Sequence, residues 1–392
     1  MDKRAKILFL LHFPPPVHGS SIIGLSIKES VLINSEFNCS YINLLTSKNV
    51  ADSGIVNLIK IWNFALIWIN VILIILRKRP KLCYLAMSTT GTAFFKDVLI
   101  IALLKIFRIK LVYHMHNKGI NRYQKNTLYK NCYRYVFNSS DVILLSEYLY
   151  SDIRDFIPRS KIHICPNGIS DEAIEFSDTS DKKDKQIESF KSNIFNNNQK
   201  GSIKNIQILF LSNLIESKGV FILLDACNLL KKKEIKFECI LVGAEGNIST
   251  SQLNKRICQL GLVEEVYYHS KKQGAEKLKI FSEADIFVIP TFEDCFPLVI
   301  LEAMSNSLPV VSTFEGGIRD IVENNITGFL VIQKDVESLA DKLEILIRNP
   351  ELRQEMGKSG RKRFEENFTR VIFENRLTEI LSKIVKENAH II

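Results

Sequence analysis

The feature that most constrains the fold is an alternation that runs twice along the chain. Short apolar runs rich in Val and Ile take turns with longer stretches patterned for helices. A strand covered on both faces shows no polar side, so it reads as a continuous apolar run, and such runs separated by helical crossovers build a parallel sheet. In the first half, strands are expected at 7–11, 38–44, 82–87, 110–115, 141–145 and 161–165, with helices starting near 19, 55, 93, 125 and 147. The turn tripeptide Pro166-Asn167-Gly168 closes that series. The pattern restarts at 206–211 and continues at 237–242, 266–269, 285–289, 309–312 and 329–332, with helices from 219, 251, 274, 298, 318 and 336.

A chain of 392 residues exceeds what one hydrophobic core usually supports. Two lobes are therefore expected, over 1–170 and 206–365. Between them 171–205, rich in Asp, Lys, Ser and Asn, reads as a linker and surface excursion. A charged helical tail runs from Glu351 onward, and its C-terminal helix, 366–392, is expected to pack back on the first lobe. No solenoid-type repeat is present.

The net charge of +9 favours anionic partners such as nucleotide diphosphates or acidic lipid surfaces. Zinc-finger spacing, an RNP-like aromatic stretch and an isolated basic helix are all missing, so nucleic acid is not expected as a partner. The eight cysteines form no C-x-x-C pair and read as reduced thiols of a cytoplasmic protein. The apolar start of the chain is short and runs into Pro14-Pro15-Pro16, so it reads as a first strand and not a signal peptide. The stretch 55–76 is more unusual: its last sixteen residues carry no charge, and Arg77, Lys78, Arg79 and Lys81 follow. Its alternatives are a helix of the first lobe, a helix lying in the membrane interface with its basic end on anionic lipid, and a span; the last would tear a sheet apart.

Three strand-loop-helix junctions can carry chemistry, because a helix start presents N–H groups and a positive dipole end to phosphate. The first is the loop from Pro14 to Ser21, where Gly19 allows close backbone approach and Ser20 follows; a Pro-rich turn with a Ser N-cap is its plain alternative. At the second, Leu211 to Gly219, Lys218 stands at a helix start, where the dipole disfavours a lysine unless it meets an anion; a solvated surface lysine is the plain alternative. The third, Pro290 to Met304, has an acidic loop and then Glu302 inside an apolar helix. A carboxylate there needs partners, and sugar hydroxyls or a neighbouring lysine both qualify. Neither G-x-G-x-x-G nor a P-loop occurs, so ordinary dinucleotide and P-loop sites are unsupported.

The third junction resembles the E-x7-E signature of the retaining glycosyltransferases of family 4. Other motifs follow in that family's order: the glycine loop after the first strand, Pro166-Asn167-Gly168, Ser217-Lys218-Gly219, Glu315-Gly316-Gly317 and Thr327-Gly328-Phe329-Leu330-Val331. Departures are Asp294 at the first acidic position, Asn213 where an arginine is common, and Ser20 where a second glycine is common. The resemblance implies the GT-B fold: two Rossmann-like α/β lobes facing across a cleft, with the C-terminal helix crossing back.

The resemblance also implies a retaining hexosyltransferase moving sugar from a UDP- or GDP-sugar to a glycan or lipid-linked acceptor, in the synthesis of surface polysaccharide such as capsule or lipopolysaccharide. Glu302 would hold the ribose and Lys218 the diphosphate. Asp294 with Cys295, Phe296 and Pro297 would hold the transferred sugar. Gly19, Ser20, Asn213, Gly243 and Leu298 complete the donor set. His116, in the loop after the fourth strand, resembles the acceptor-side histidine, with a core or loop role as its alternative. No metal site and no cofactor is expected, and the enzyme would be cytoplasmic or peripheral on the membrane's cytoplasmic face. Rival readings are a catalytically silent nucleotide-sugar-binding scaffold subunit and an epimerase of the same fold.

Overall fold

The computed structural model describes residues 4–45, 58–171 and 205–389. The expected linker lies almost wholly outside them. The chain divides into two compact units: Met1–Gly168 with Asp294–Pro297 and Arg370–Ile392, and Ile169–Glu293 with Leu298–Thr369.

The first unit holds a six-stranded parallel sheet of β1 (Lys6–Leu11), β2 (Asn38–Asn43), β3 (Leu82–Met87), β4 (Lys110–Met115), β5 (Asp141–Leu144) and β6 (Ile162–Ile164), in the order β2-β1-β3-β4-β5-β6. Every residue of β3 is buried, as are Ile7 to Leu11 of β1. That two-sided burial is why these strands read as unbroken apolar runs. The second unit repeats the plan with β7 (Ile206–Leu211), β8 (Phe237–Val242), β9 (Val266–His269), β10 (Ile286–Ile289), β11 (Val310–Thr313) and β12 (Gly328–Val331), ordered β12-β11-β10-β7-β8-β9.

In both sheets the chain leaves the first strand in one direction and later returns to its other side. The reversal falls between β1 and β3 in one unit and between β7 and β10 in the other. At such a point the loops from adjacent strands diverge, leaving a crevice at the carboxyl ends where ligands of doubly wound sheets bind.

Helix starts differ more than strands. Instead of a helix near 147 the chain makes a 3-10 segment, Glu147–Asp152, capped by the Ser146 hydroxyl. Short helices Val31–Glu36 and Ile120–Tyr123 were not foreseen. The tail is two helices, Pro350–Asn367 and Arg370–Ala389. The second buries Phe373, Leu377, Leu381 and Ile384, an i, i+4, i+8, i+11 stripe, within the first unit, where Phe373 stacks on His114. The apolar stretch forms helix Leu58–Lys78, the crossover from β2 to β3. Among the described residues no helix is long and apolar enough to cross a membrane.

Candidate functional site

In the second unit the loop after β7 ends in a 3-10 turn, Glu216–Lys218, followed by Gly219 at φ 82°. Gly219 starts helix Val220–Lys232, and no side chain caps that start. A Cβ on Gly219 would lie 2.2 Å from the Pro290 carbonyl oxygen, so only glycine lets this loop approach the end of β10. Two hydrogen bonds to the Ser217 carbonyl then lace the loops together, from Thr291 Oγ1 and from Phe292 N, both at 2.9 Å. Thr313 Oγ1 donates in turn to the Thr291 carbonyl at 2.5 Å. Lys218 and the helix start are thereby held at the β7/β10 reversal, where an anion gains both a lysine charge and backbone N–H groups.

Glu302 lies in helix Leu298–Ser305, and its Oε1 accepts from Lys277 Nζ of helix Ala275–Glu283 at 2.6 Å. Both side chains keep 23% of their surface exposed. A pair open to solvent in this way is worth about 1 kcal/mol, while hydrogen bonds from hydroxyls to a carboxylate are worth about 1.5–3 kcal/mol each. Lysine pairing and sugar recognition are therefore not exclusive at Glu302. Asp294 accepts from the Cys295 backbone N–H at 2.8 Å, and the segment Asp294–Pro297 groups with the first unit.

The structure gives Gly243 a packing reason: a Cβ there would sit 1.8 Å from the Ser212 carbonyl oxygen, and its N–H donates to the His269 carbonyl at 3.2 Å. Asn213 is half-buried in the same loop, and Leu298 is buried at the helix start. Glu315, after β11, is 6% exposed and accepts from Gln333 Nε2 at 3.1 Å. Its motif was visible in the sequence, but nothing there signalled that the carboxylate is buried. Lys277 was equally unmarked, being one lysine among several in an exposed helical pattern.

In the first unit the β1/β3 reversal gathers histidines. The N-cap of helix Gly19–Glu29 is His18 and not the serine the loop suggested: Ser21 N donates to His18 Nδ1 at 3.3 Å and His18 N donates to Ser21 Oγ at 3.0 Å. Gly19 is the first helical residue, and Ser20 Oγ is 3.0 Å from His12 Nδ1. Gly24 lets the helix press on the strand end, since a Cβ there would be 2.1 Å from the His12 carbonyl oxygen. His114 on β4 is fully buried against the Tyr84 hydroxyl. His116 follows it, half-buried, with its ring 4.3 Å from that of His114.

Burial chiefly, with His18 and Lys96 nearby, brings the His12 pKa down to about 4. Burial and then His114, His12 and His18 hold His116 well below its usual value. At neutral pH these rings are uncharged, each with one donor and one acceptor nitrogen, a set suited to hydroxyl groups. Asp97, buried and accepting from Ser88 N at 2.8 Å, is pushed up to about 7 by its burial.

No disulfide joins any of the eight cysteines, all of them among the described residues. Among the described residues no group of three or more His, Cys, Asp or Glu side chains is arranged to hold a metal ion.

Residues 192–363 match the family described as "Glycosyl transferases group 1". The capsular polysaccharide biosynthesis glycosyltransferase CapM of Staphylococcus aureus is 27% identical over 187 residues, 47% of this chain and 48% of that protein. The amylovoran biosynthesis glycosyltransferase AmsK of Erwinia amylovora is 30% identical over 185 residues, 46% of this chain and 45% of that protein. The chain thus spans about half the length of these curated relatives. HepE of Anabaena, solved in complex with UDP, superposes with a TM-score of 0.71 at 19% identity, covering 96% of this chain and 100% of that one. That likeness establishes the fold: two parallel six-stranded sheets of the GT-B type.

Proposed function

We propose, from the match of residues 192–363 to the group 1 glycosyl transferases, that the whole chain is a retaining glycosyltransferase. Its donor is a nucleotide diphosphate sugar, UDP- or GDP-linked, and its acceptor is a glycan or lipid-linked saccharide of a surface polysaccharide. The observation that carries this reading is the laced β7/β10 reversal, which holds Lys218 and the start of helix Val220–Lys232 in place beside the loop that follows β10.

In this account Lys218 and the helix start take the diphosphate, and Glu302 takes the ribose hydroxyls in exchange for, or alongside, Lys277. As the bond from the anomeric carbon to the phosphate oxygen breaks, negative charge grows on that phosphate, where a fixed lysine and helix N–H groups stabilise it. No metal is needed for that step. The acceptor hydroxyl attacks from the face the phosphate leaves, passes its proton to the departing phosphate, and the sugar keeps its anomeric configuration. Asp294 and the backbone of Cys295 to Pro297 hold the sugar. His116, uncharged, binds hydroxyls and is not a proton store. HepE's UDP complex supports a uridine donor, and CapM and AmsK support a polysaccharide acceptor. The reading places the enzyme in the cytoplasm.

One observation favours the silent scaffold as a second reading: Asp294 and Glu302 both bond to groups of their own chain. Incubating the protein with UDP-glucose, UDP-galactose and GDP-mannose and following nucleotide release decides between them. Release that is lost in Glu302→Ala supports the transferase; binding without any release, alone or with saccharide acceptors, supports the scaffold.

A further inference from the structure

Helix Leu58–Lys78 has two apolar faces on opposite sides. Ile67, Val71 and Ile75 are buried toward the sheet. On the other side Leu58, Trp62, Leu66, Ile69, Leu73 and Leu76 are 38–84% exposed. At 100° per residue those six fall within about 40° of one line, so they form a single stripe along the helix. A crossover helix that covers a sheet normally turns a polar side to water. Here the outer side carries its hydrophobic residues in register, more than scattered surface apolar residues would account for. Right-handed crossovers place helix Gly91–Ile106 on the same face of the sheet, and it adds Leu99, Ile106 and the adjoining Phe107, all exposed.

We infer that this stripe docks in the plane of an anionic phospholipid bilayer, its apolar line in the acyl boundary and its basic end on lipid phosphates. Charge is the first argument. The helix contains no Asp or Glu and runs into Arg77, Lys78, Arg79 and Lys81. Lys78 is bonded to Ser40 of β2, which leaves exposed Arg77, Arg79 and Lys81 around the helix end. A second copy packed stripe to stripe would bring no acid from its own helix to meet that cluster, whereas anionic lipid supplies one phosphate per headgroup. Composition is the second argument: Trp62, 67% exposed, lies on the stripe, and the chain's other tryptophan, Trp68, 37% exposed, is on the same helix about 120° round from it. Indole prefers the boundary between acyl chains and headgroups. The helix runs antiparallel to the strands it joins, so its Leu58 end lies at the carboxyl edge of the sheet, where His12, Ser20 and His116 are. The inference does not depend on the donor chemistry proposed above.

Because both tryptophans lie on this helix, tryptophan emission, excited selectively over the tyrosines, reports on it alone. The full chain is mixed with vesicles of phosphatidylcholine, and with vesicles of phosphatidylcholine and phosphatidylglycerol at about three to one, then sedimented. The expected result is a blue shift and pelleting with the anionic vesicles, weakened at high salt and much weaker with the neutral ones. Leu66→Glu with Ile69→Glu should lower partitioning at least about tenfold, and Arg77→Gln with Arg79→Gln should remove the preference for anionic lipid. Melting temperature and nucleotide-sugar binding, measured on the same preparations, should match wild type. Absence of shift and pelleting for folded wild-type protein overturns the inference. So does a lipid-free dimer that Leu66→Glu with Ile69→Glu dissociates, since the stripe would then be covered by a second copy.

Discussion

Lys277 Nζ lies 2.6 Å from Glu302 Oε1, joining the helix before β10 to the helix after its loop. This lysine holds the carboxylate in one orientation while 23% of each side chain stays exposed. On the proposed function Glu302→Ala removes the acceptor for the ribose hydroxyls, and kcat/KM for the donor should fall by about 10²-fold or more. Lys277→Ala leaves the acceptor in place, so the donor KM should rise about three- to tenfold with kcat little changed. Steady-state kinetics on both variants checks the pair.

Lys218 should behave differently. In the proposed reaction its charge is needed most when the phosphate departs, so Lys218→Ala should lower kcat by about 10²-fold while free nucleotide binds less tightly by a smaller factor. Single-turnover rates at saturating donor separate the two effects.

Gly219 and Gly243 should tolerate no side chain. In Gly219→Ala a methyl group would be forced to 2.2 Å from the Pro290 carbonyl oxygen on a backbone already at φ 82°, and in Gly243→Ala to 1.8 Å from that of Ser212. Each should cost about 1–3 kcal/mol of stability or more, read by denaturant unfolding. Gly219→Ala should also weaken nucleotide binding beyond its effect on stability, because the loop it shifts carries Lys218.

Acid should destabilise the first unit through His12. Its folded pKa is lowered to about 4, so between about 6.5 and 4 the unfolded chain binds a proton that the folded chain refuses. Stability is lost as pH falls through that window, by up to about 1.4 kcal/mol per pH unit for one group. Asp97, raised to about 7, acts in the opposite sense, binding its proton in the folded state first. His12→Gln should therefore flatten the acid side of a stability-against-pH curve, and Asp97→Asn should steepen it.

The sheets were legible because burial on both faces leaves a continuous apolar run: Leu82–Met87, Lys110–Met115 and Phe237–Val242 begin and end where the pattern says. Short helices such as Val31–Glu36 were not, since six residues carry too few turns to show a period. The junctions with Lys218 and Glu302 were found through chemistry that looked out of place, a lysine at a helix start and an acid in an apolar helix. Lys277 and Glu315 escaped because pairing and burial come from residues distant in sequence, Glu302 and Gln333 respectively. In the alternative reading of the first loop a serine caps the helix, but that place goes to His18, whose ring nitrogen accepts from Ser21 N.

The most direct measurement is thermal unfolding of the wild type and of Lys218→Ala with UDP-, GDP-, ADP- and TDP-sugars, with and without EDTA. A ligand that binds only the folded chain raises its apparent stability. The account predicts a rise with one nucleotide class, UDP or GDP, unchanged by EDTA and lost in Lys218→Ala. No rise with any of them, or the same rise in the variant, would contradict it.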